Sequence, residues 1–178
     1  KVAAIRRFAV ELIQAGNSFD EAESLALRLG GREDFHYVSA YNDPYVIAGQ
    51  ASIGFELGRQ LEGPLTVVCG VGGGGLASGL GLWAATRSDV RIVGVESAAS
   101  TALSASVQAG RQISMTIGPT LADGLAGNIE PGSVTIDLVG RYVHDLVTVS
   151  EDEISSAIRY LALERGVVAE GAGAVSVA

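Results

Sequence analysis

Apolar positions along the chain switch between helical spacing and continuous runs, and each switch marks an element. Val2, Ile5 and Phe8 share one helical face, so Val2 to Phe8 reads as the end of a helix. Val10 to Ile13 reads as a short strand before a turn at Gly16-Asn17. Ser18 and Glu21 have capping-box spacing, and Ala22, Leu25, Ala26 and Leu29 form the stripe of a helix ending at Gly30. Phe35 to Ser39 reads as a strand. Asn42 or Asp43 caps a helix with Pro44 in its first turn, running to about Leu61. Leu65 to Val71 is an unbroken apolar run, expected to be a parallel strand buried on both faces. Gly72 to Gly75 open a helix to about Arg87. A strand over Arg91 to Val95 and a helix over Thr101 to Gln108 follow, then an irregular stretch from Gly110 to Asn128. Ser133 to Val143 reads as a helix and Leu146 to Val149 as a strand. Ser150 with Glu153 repeats the capping-box spacing and opens a helix to Arg165.

Alternation of strands and helices without internal repeats predicts an α/β class built on a parallel sheet. Residues 1–42 are expected in one small lobe, 43–61 in a connecting helix, and 62–178 in a large lobe. Gly171 to Ala178 is an apolar helical start with no C-cap, and Lys1 opens directly onto a helical pattern. Both features lead to the expectation that the chain is truncated at both ends.

Composition narrows the function classes. Hydrophobic residues make up 48% of the 178 and charged residues 18%, which excludes a disordered chain. So low a charged share leads us to expect apolar surface covered by further chain or a partner subunit. A net charge of −8 without Lys/Arg clusters argues against nucleic acid as a partner. The single Cys69 gives no disulfide framework and favours the cytoplasm; in its apolar run it reads as a small buried hydrophobe. The uncharged stretch Pro64 to Ala85 is broken by seven glycines and reads as strand, turn and helix rather than a membrane span. His36 and His144 lack metal-ligand spacing and read as structural. Trp83, on a helix face, reads as core or interface.

The strongest local signal is Gly70-Val71-Gly72-Gly73-Gly74-Gly75-Leu76, where a strand feeds four glycines that open a helix. Without side chains the backbone approaches an anion closely, and amides plus the helix N-terminus then face a phosphate. A packed turn is the plain alternative. Which phosphate is bound stays open at this level. Gly70-x-Gly72-x-x-Gly75 fits a dinucleotide fingerprint, and Glu96 lies where a ribose-binding acid would stand. At least two βα-type units precede the turn, however, whereas the fingerprint usually opens a domain.

Four segments, in order, carry a resemblance. Val71 to Leu76 resembles the tetraglycine phosphate loop of fold-type II pyridoxal-phosphate (PLP) enzymes, of the threonine dehydratase, serine dehydratase (ammonia-lyase) and serine racemase kind. Asp43-Pro44-Tyr45-Val46-Ile47-Ala48-Gly49-Gln50 resembles the helix after that family's small lobe. Thr120-Leu121-Ala122-Asp123-Gly124-Leu125 resembles its segment beside the cofactor. Glu170-Gly171-Ala172-Gly173-Ala174 resembles its helix start near the pyridine ring. The resemblance implies an incomplete three-layer parallel-sheet fold of the tryptophan-synthase-β type. It also implies that Gly72, Gly73, Gly74, Gly75 and Leu76 cradle the PLP phosphate. Tyr41, Gly124 and Glu170 would lie near the ring or substrate.

It further implies that no catalytic residue is present. The family's Schiff-base lysine lies in a segment ahead of the region matching Lys1, the one lysine here. The loop holding the cofactor's ring oxygen and the strand facing the pyridine nitrogen also fall outside 1–178. No metal is expected: relatives that bind a divalent ion place an acid at Glu96 and an Asp six residues later, where this chain has Ala102. The implied parent is a cytoplasmic homo-oligomer, dimer or tetramer, without membrane or nucleic-acid partners. It would deaminate L-threonine or L-serine to a 2-oxo acid and ammonia by β-elimination, the isolated chain being inactive. Alternatives are a serine or aspartate racemase or another PLP lyase or synthase of that fold, an NAD-dependent oxidoreductase, and a non-catalytic phosphate-ligand module.

Overall fold

The computed structural model describes all residues 1–178, which divide into two compact units, Lys1–Tyr37 and Val38–Ala178. The first unit holds α1 (Val2–Ile5) and α2 (Phe19–Gly30). Ser18 Oγ accepts from the Glu21 amide at 3.2 Å. The Glu21 carboxylate accepts from Asn17 N–H at 2.7 Å, not from Ser18, so the reciprocal half of the box slips by one residue. The strands expected over 10–13 and 35–39 do not form. Both segments are unassigned in secondary structure and join no sheet, and Val10, Ile13, Phe35 and Val38 are exposed. Their composition is strand-like, but a strand is defined by ladder partners, and neither segment has one.

The second unit opens with α3 (Pro44–Gln60), whose N-cap Asp43 accepts from the Tyr45 and Val46 amides. There follow β1 (Leu65–Gly70), α4 (Gly75–Ala84), β2 (Val90–Ser97), α5 (Ala102–Ala109), a 3-10 turn at Asp123–Leu125 and α6 (Thr135–Tyr142). The unit closes with β3 (Asp145–Val149), α7 (Glu151–Glu164) and α8 (Gly171–Ala174). At Ser150 the capping box is complete in both directions. No helix is long and apolar enough to cross a membrane.

The three strands pair in parallel in the order β1-β2-β3, with Cys69 opposite Gly94 and Gly94 opposite Leu146. Alternation sends Leu65, Val67, Cys69, Val90, Ile92 and Leu146 to one face, where they pack with Leu80, Trp83 and Val139 of α4 and α6. Val95 and Val149 face the other way and pack with Ile154 of α7 and with Val175. Helices therefore cover both faces, giving the three-layer arrangement expected of the class. The second layer reaches only the C-terminal ends of the strands. Val68 and Val147 stay exposed, which corrects the expectation that β1 is buried on both faces. The second face of β1 is covered only at Gly70, by Leu125, Ala172 and Val175.

The tightest helix pair is α3 against α4, and it depends on small residues. Gly54 lies under the Trp83 indole, where a Cβ would stand 2.3 Å from the ring. At Gly79 a Cβ would meet the Ile47 carbonyl at 2.6 Å and the Ala51 nitrogen at 2.7 Å, and backbone cannot step aside. Gly79→Ala is expected to lower stability by about 1–3 kcal/mol, read as a drop in the urea midpoint.

Candidate functional site

The C-terminal ends of parallel strands are where α/β folds expose chain ends and helix N-termini together. Here Val71 continues β1 with one more bond, donating to the Val95 carbonyl at 2.8 Å. The chain then leaves the sheet as Gly72-Gly73-Gly74 and enters α4 at Gly75. Gly74 is the N-cap at φ +88°, ψ 2°, a left-handed conformation only glycine adopts without strain.

Each of the four glycines is also demanded by its neighbours. A Cβ on Gly72 would press on the Leu125 backbone at 3.0 Å. One on Gly73 would enter the Tyr41 ring at 2.2 Å. One on Gly74 would meet Leu103 at 2.8 Å, and one on Gly75 the Tyr41 carbonyl at 2.8 Å. The side of the turn that side chains would occupy is thus filled by protein.

The amides tell the other half. The N–H groups of Gly72, Gly73, Gly74, Gly75, Leu76 and Ala77 donate to no protein acceptor; the first internal bond of α4 is Ser78 N–H to the Gly74 carbonyl at 2.8 Å. Four of these six, Gly74 to Ala77, are the unpaired donors any helix start carries. The other two, Gly72 and Gly73, belong to the glycine turn. Six successive free donors stand at the positive end of a helix, with no Lys or Arg between Leu65 and Thr86, so an anion here would meet backbone donors alone. A phosphate fits this donor set.

Around the turn the structure gathers the other expected residues. Tyr41 is buried behind Gly73 and Gly75, and its hydroxyl accepts from the Glu130 amide at 2.6 Å. Leu125 in the 3-10 turn lies against Gly72 and also faces Gly70, beside the Ala172 carbonyl and Val175. Gly124 is exposed, and a Cβ there would stand 3.1 Å from Ala172 and 3.8 Å from Glu170 Oε1. Glu170 is the exposed N-cap of α8. Leu76 packs against the main core. All eight therefore belong to one region at the top of the sheet.

The segment bearing Gly124 is held from below. Ser97 donates to Glu151 Oε1 at 3.0 Å, Leu121 N–H donates to Glu151 Oε2 at 2.7 Å, and Ala122 N–H donates to Thr120 Oγ1 at 3.1 Å. The hydrogen bond with Thr120, helped by those from Leu121 and Ser97, keeps the Glu151 carboxyl below the usual range against a smaller opposing effect of burial.

Glu96 is not available to a ligand. It is 1% exposed, and its Oε1 accepts from the Leu103 and Ser104 amides at the start of α5, at 3.2 and 3.3 Å. This removes the ribose contact that a dinucleotide would need. Nor do three or more His, Cys, Asp or Glu side chains gather anywhere as a metal-holding group. Glu96 Oε2 is buried without a partner, and burial raises the carboxyl's pKa despite the opposing bonds from Ser104 and Leu103. Cys69, also buried, has its thiol pushed up to about 11.

Sequence reasoning missed the residues that brace the turn. Thr135 Oγ1 lies 2.7 Å from the Gly73 carbonyl, and Asn42 Oδ1 accepts from the Val134 amide at 2.8 Å. Both residues sit at helix starts and carry the ordinary signal of capping residues there, which hides a contact 62 or 92 positions away.

A raised Glu96 pKa means the folded chain holds this proton more tightly than the unfolded one. Stability from this group therefore falls as pH rises from the ordinary glutamate value of about 4.3. Relative to the parent chain, Glu96→Gln is expected to gain stability as pH increases from about 4 to about 8. Urea midpoints across that range check it, and a difference that shrinks with pH counts against it.

Comparison with known proteins gives a consistent set. The family model described as pyridoxal-phosphate dependent enzyme matches residues 1–178. L-threonine ammonia-lyase of Thermotoga maritima is 42% identical over 179 residues, covering all of this chain and 44% of that protein. The biosynthetic L-threonine dehydratase of Burkholderia multivorans is 36% identical, with 36% of its length covered. Among solved structures, the processed form of threonine deaminase isoform 2 from Solanum lycopersicum superposes with a TM-score of 0.88 at 32% identity, over 99% of this chain and 51% of that one. Maize serine racemase gives 0.86 at 26% identity, over 98% and 53%. The chain thus spans less than half the length of these two curated relatives.

Proposed function

Because the chain belongs to the pyridoxal-phosphate dependent enzyme family, we propose that it is the phosphate-holding part of a PLP-dependent ammonia-lyase acting on L-threonine or L-serine. The observation that carries this is the run of six amides, Gly72 to Ala77, with no protein acceptor. A phosphate monoester satisfies them at once, and charge-assisted bonds of this kind are worth about 1.5–3 kcal/mol each. Gly72, Gly73, Gly74, Gly75 and Leu76 bind the phosphate. Tyr41 backs the turn, while Gly124 and Glu170 border the ring and substrate side. When bound, the cofactor supplies an electron sink for the charge left at Cα as the substrate's α-proton departs.

This chain's own residues bind and orient. None is assigned a proton transfer, and Lys1, its one lysine, is not proposed as the Schiff-base lysine. The same reading places 1–42 in a small lobe, 43–61 in a connecting helix and 62–178 in a large lobe. It also makes the whole protein a cytoplasmic homo-oligomer, without membrane or nucleic-acid partners. The two relatives named above, an L-threonine ammonia-lyase and an L-threonine dehydratase, favour elimination over racemisation.

In the whole protein supplied with PLP, L-threonine is expected to give 2-oxobutyrate and ammonia, followed by keto-acid absorbance. The 178-residue chain alone is expected to bind pyridoxal phosphate without turnover. Gly73→Ala, whose Cβ would enter the Tyr41 ring, is expected to weaken that binding by at least tenfold, roughly 1.4 kcal/mol, in a calorimetric titration. Unchanged affinity in this variant would remove the turn from the site.

A further inference from the structure

We propose that Ser133 and Thr135 form a one-way hydrogen-bond relay that locks the Gly73–Gly74 peptide and so aims the Gly74 amide. The inference rests on reading the turn as a phosphate site. The direction of the relay follows from proton counting. A carbonyl cannot donate, so the 2.7 Å contact between Thr135 Oγ1 and the Gly73 oxygen uses the threonine's single hydroxyl proton. The 2.7 Å contact between Ser133 Oγ and Thr135 Oγ1 must then have Ser133 as donor. Ser133 Oγ in turn accepts from the Thr135 amide at 3.3 Å. Every proton runs the same way, from the first turn of α6 to the Gly73 carbonyl. Both side chains are buried, Thr135 completely, which puts bulk water out of reach as a substitute.

The consequence lies on the far side of the peptide. No peptide bond in the chain is cis, so the C=O of Gly73 and the N–H of Gly74 point in opposite directions. Fixing the oxygen on Thr135 turns the Gly74 N–H away from Thr135, and that N–H is one of the six without a protein acceptor. No other protein hydrogen bond holds this peptide. Its two flanking dihedrals both belong to glycines, which let a peptide flip at little cost. A chain of hydrogen bonds into the carbonyl also polarises the peptide and strengthens its N–H as a donor. The relay is itself anchored. Ser133 N–H donates to the Glu130 carbonyl at 3.3 Å, the Glu130 amide donates to Tyr41, and the Val134 amide donates to Asn42. The residues ahead of α3 thereby set the aim of the turn ahead of α4.

The test titrates the 178-residue chain and its Thr135→Val, Thr135→Ser and Ser133→Ala variants with pyridoxamine 5′-phosphate, which has no aldehyde to react with Lys1. Calorimetry gives Kd, and the Gly74 amide nitrogen resonance is recorded without ligand. Thr135→Val is expected to raise Kd roughly tenfold and to move that resonance, and Thr135→Ser to restore both to within about threefold of the parent. Equal Kd in Thr135→Val and the parent overturns the relay, as does a loss that serine fails to restore. Should Thr135→Val not fold, Ser133→Ala decides: a several-fold weaker Kd is expected, and an unchanged one overturns the inference. An unsubstituted chain that binds no pyridoxamine phosphate refutes the phosphate reading, and the relay with it.

Discussion

The second unit is organised around a turn with protein packed against one side and none of its amides paired on the other. Tyr41, Leu125, Leu103 and Thr135 fill the space where side chains of residues 72–75 would stand. Four of the turn's six unpaired donors are those of any helix start, and Gly72 and Gly73 add two more in a crowded setting, where an unsatisfied donor costs free energy unless something outside the chain accepts from it. Much of the remaining architecture serves that arrangement. The parallel sheet brings the turn, the Asp123–Leu125 segment and the start of α8 to the C-terminal end of its strands. The buried carboxylate of Glu96 and the half-exposed one of Glu151 pin the loops on either side.

Packing and binding make the same demand on these glycines. A packed turn alone would explain their Cβ contacts but not the free amides, since packed turns normally close their donors on nearby carbonyls. Phosphate binding alone would explain the amides but not the indifference to nearby cations. Together they describe a packed backbone turn that offers donors without any charged side chain of its own, in a chain whose net charge is −8.

Much of this was legible in the sequence because it is local. The apolar run at Leu65, the glycines and the Ser150–Glu153 spacing each fix an element within a few residues. The four-segment resemblance then gathered Tyr41, Gly124 and Glu170 in advance, and all three lie in the turn's neighbourhood. What failed was what depends on distant partners. Residues 10–13 and 35–39 have strand composition but no ladder, and β1 has a strand's apolar run but full cover on only one face. Glu96 looked like a ligand-facing acid at a strand end, yet it turns inward onto α5. Thr135 could not be read at all, because its contact with Gly73 spans 62 positions and resembles an ordinary helix start.

The outer edge of β1 has no strand beside it. In a parallel ladder alternate residues face opposite neighbours, so Thr66, Val68 and Gly70 turn their backbone groups away from β2. With Val68 bare beside them, they offer a ready template for any extended peptide, including the same strand of a second molecule. The outer rim of β1 is thus a place on this sheet where a further strand could pair. A lysine in place of Val68 would blunt it without touching the glycine turn.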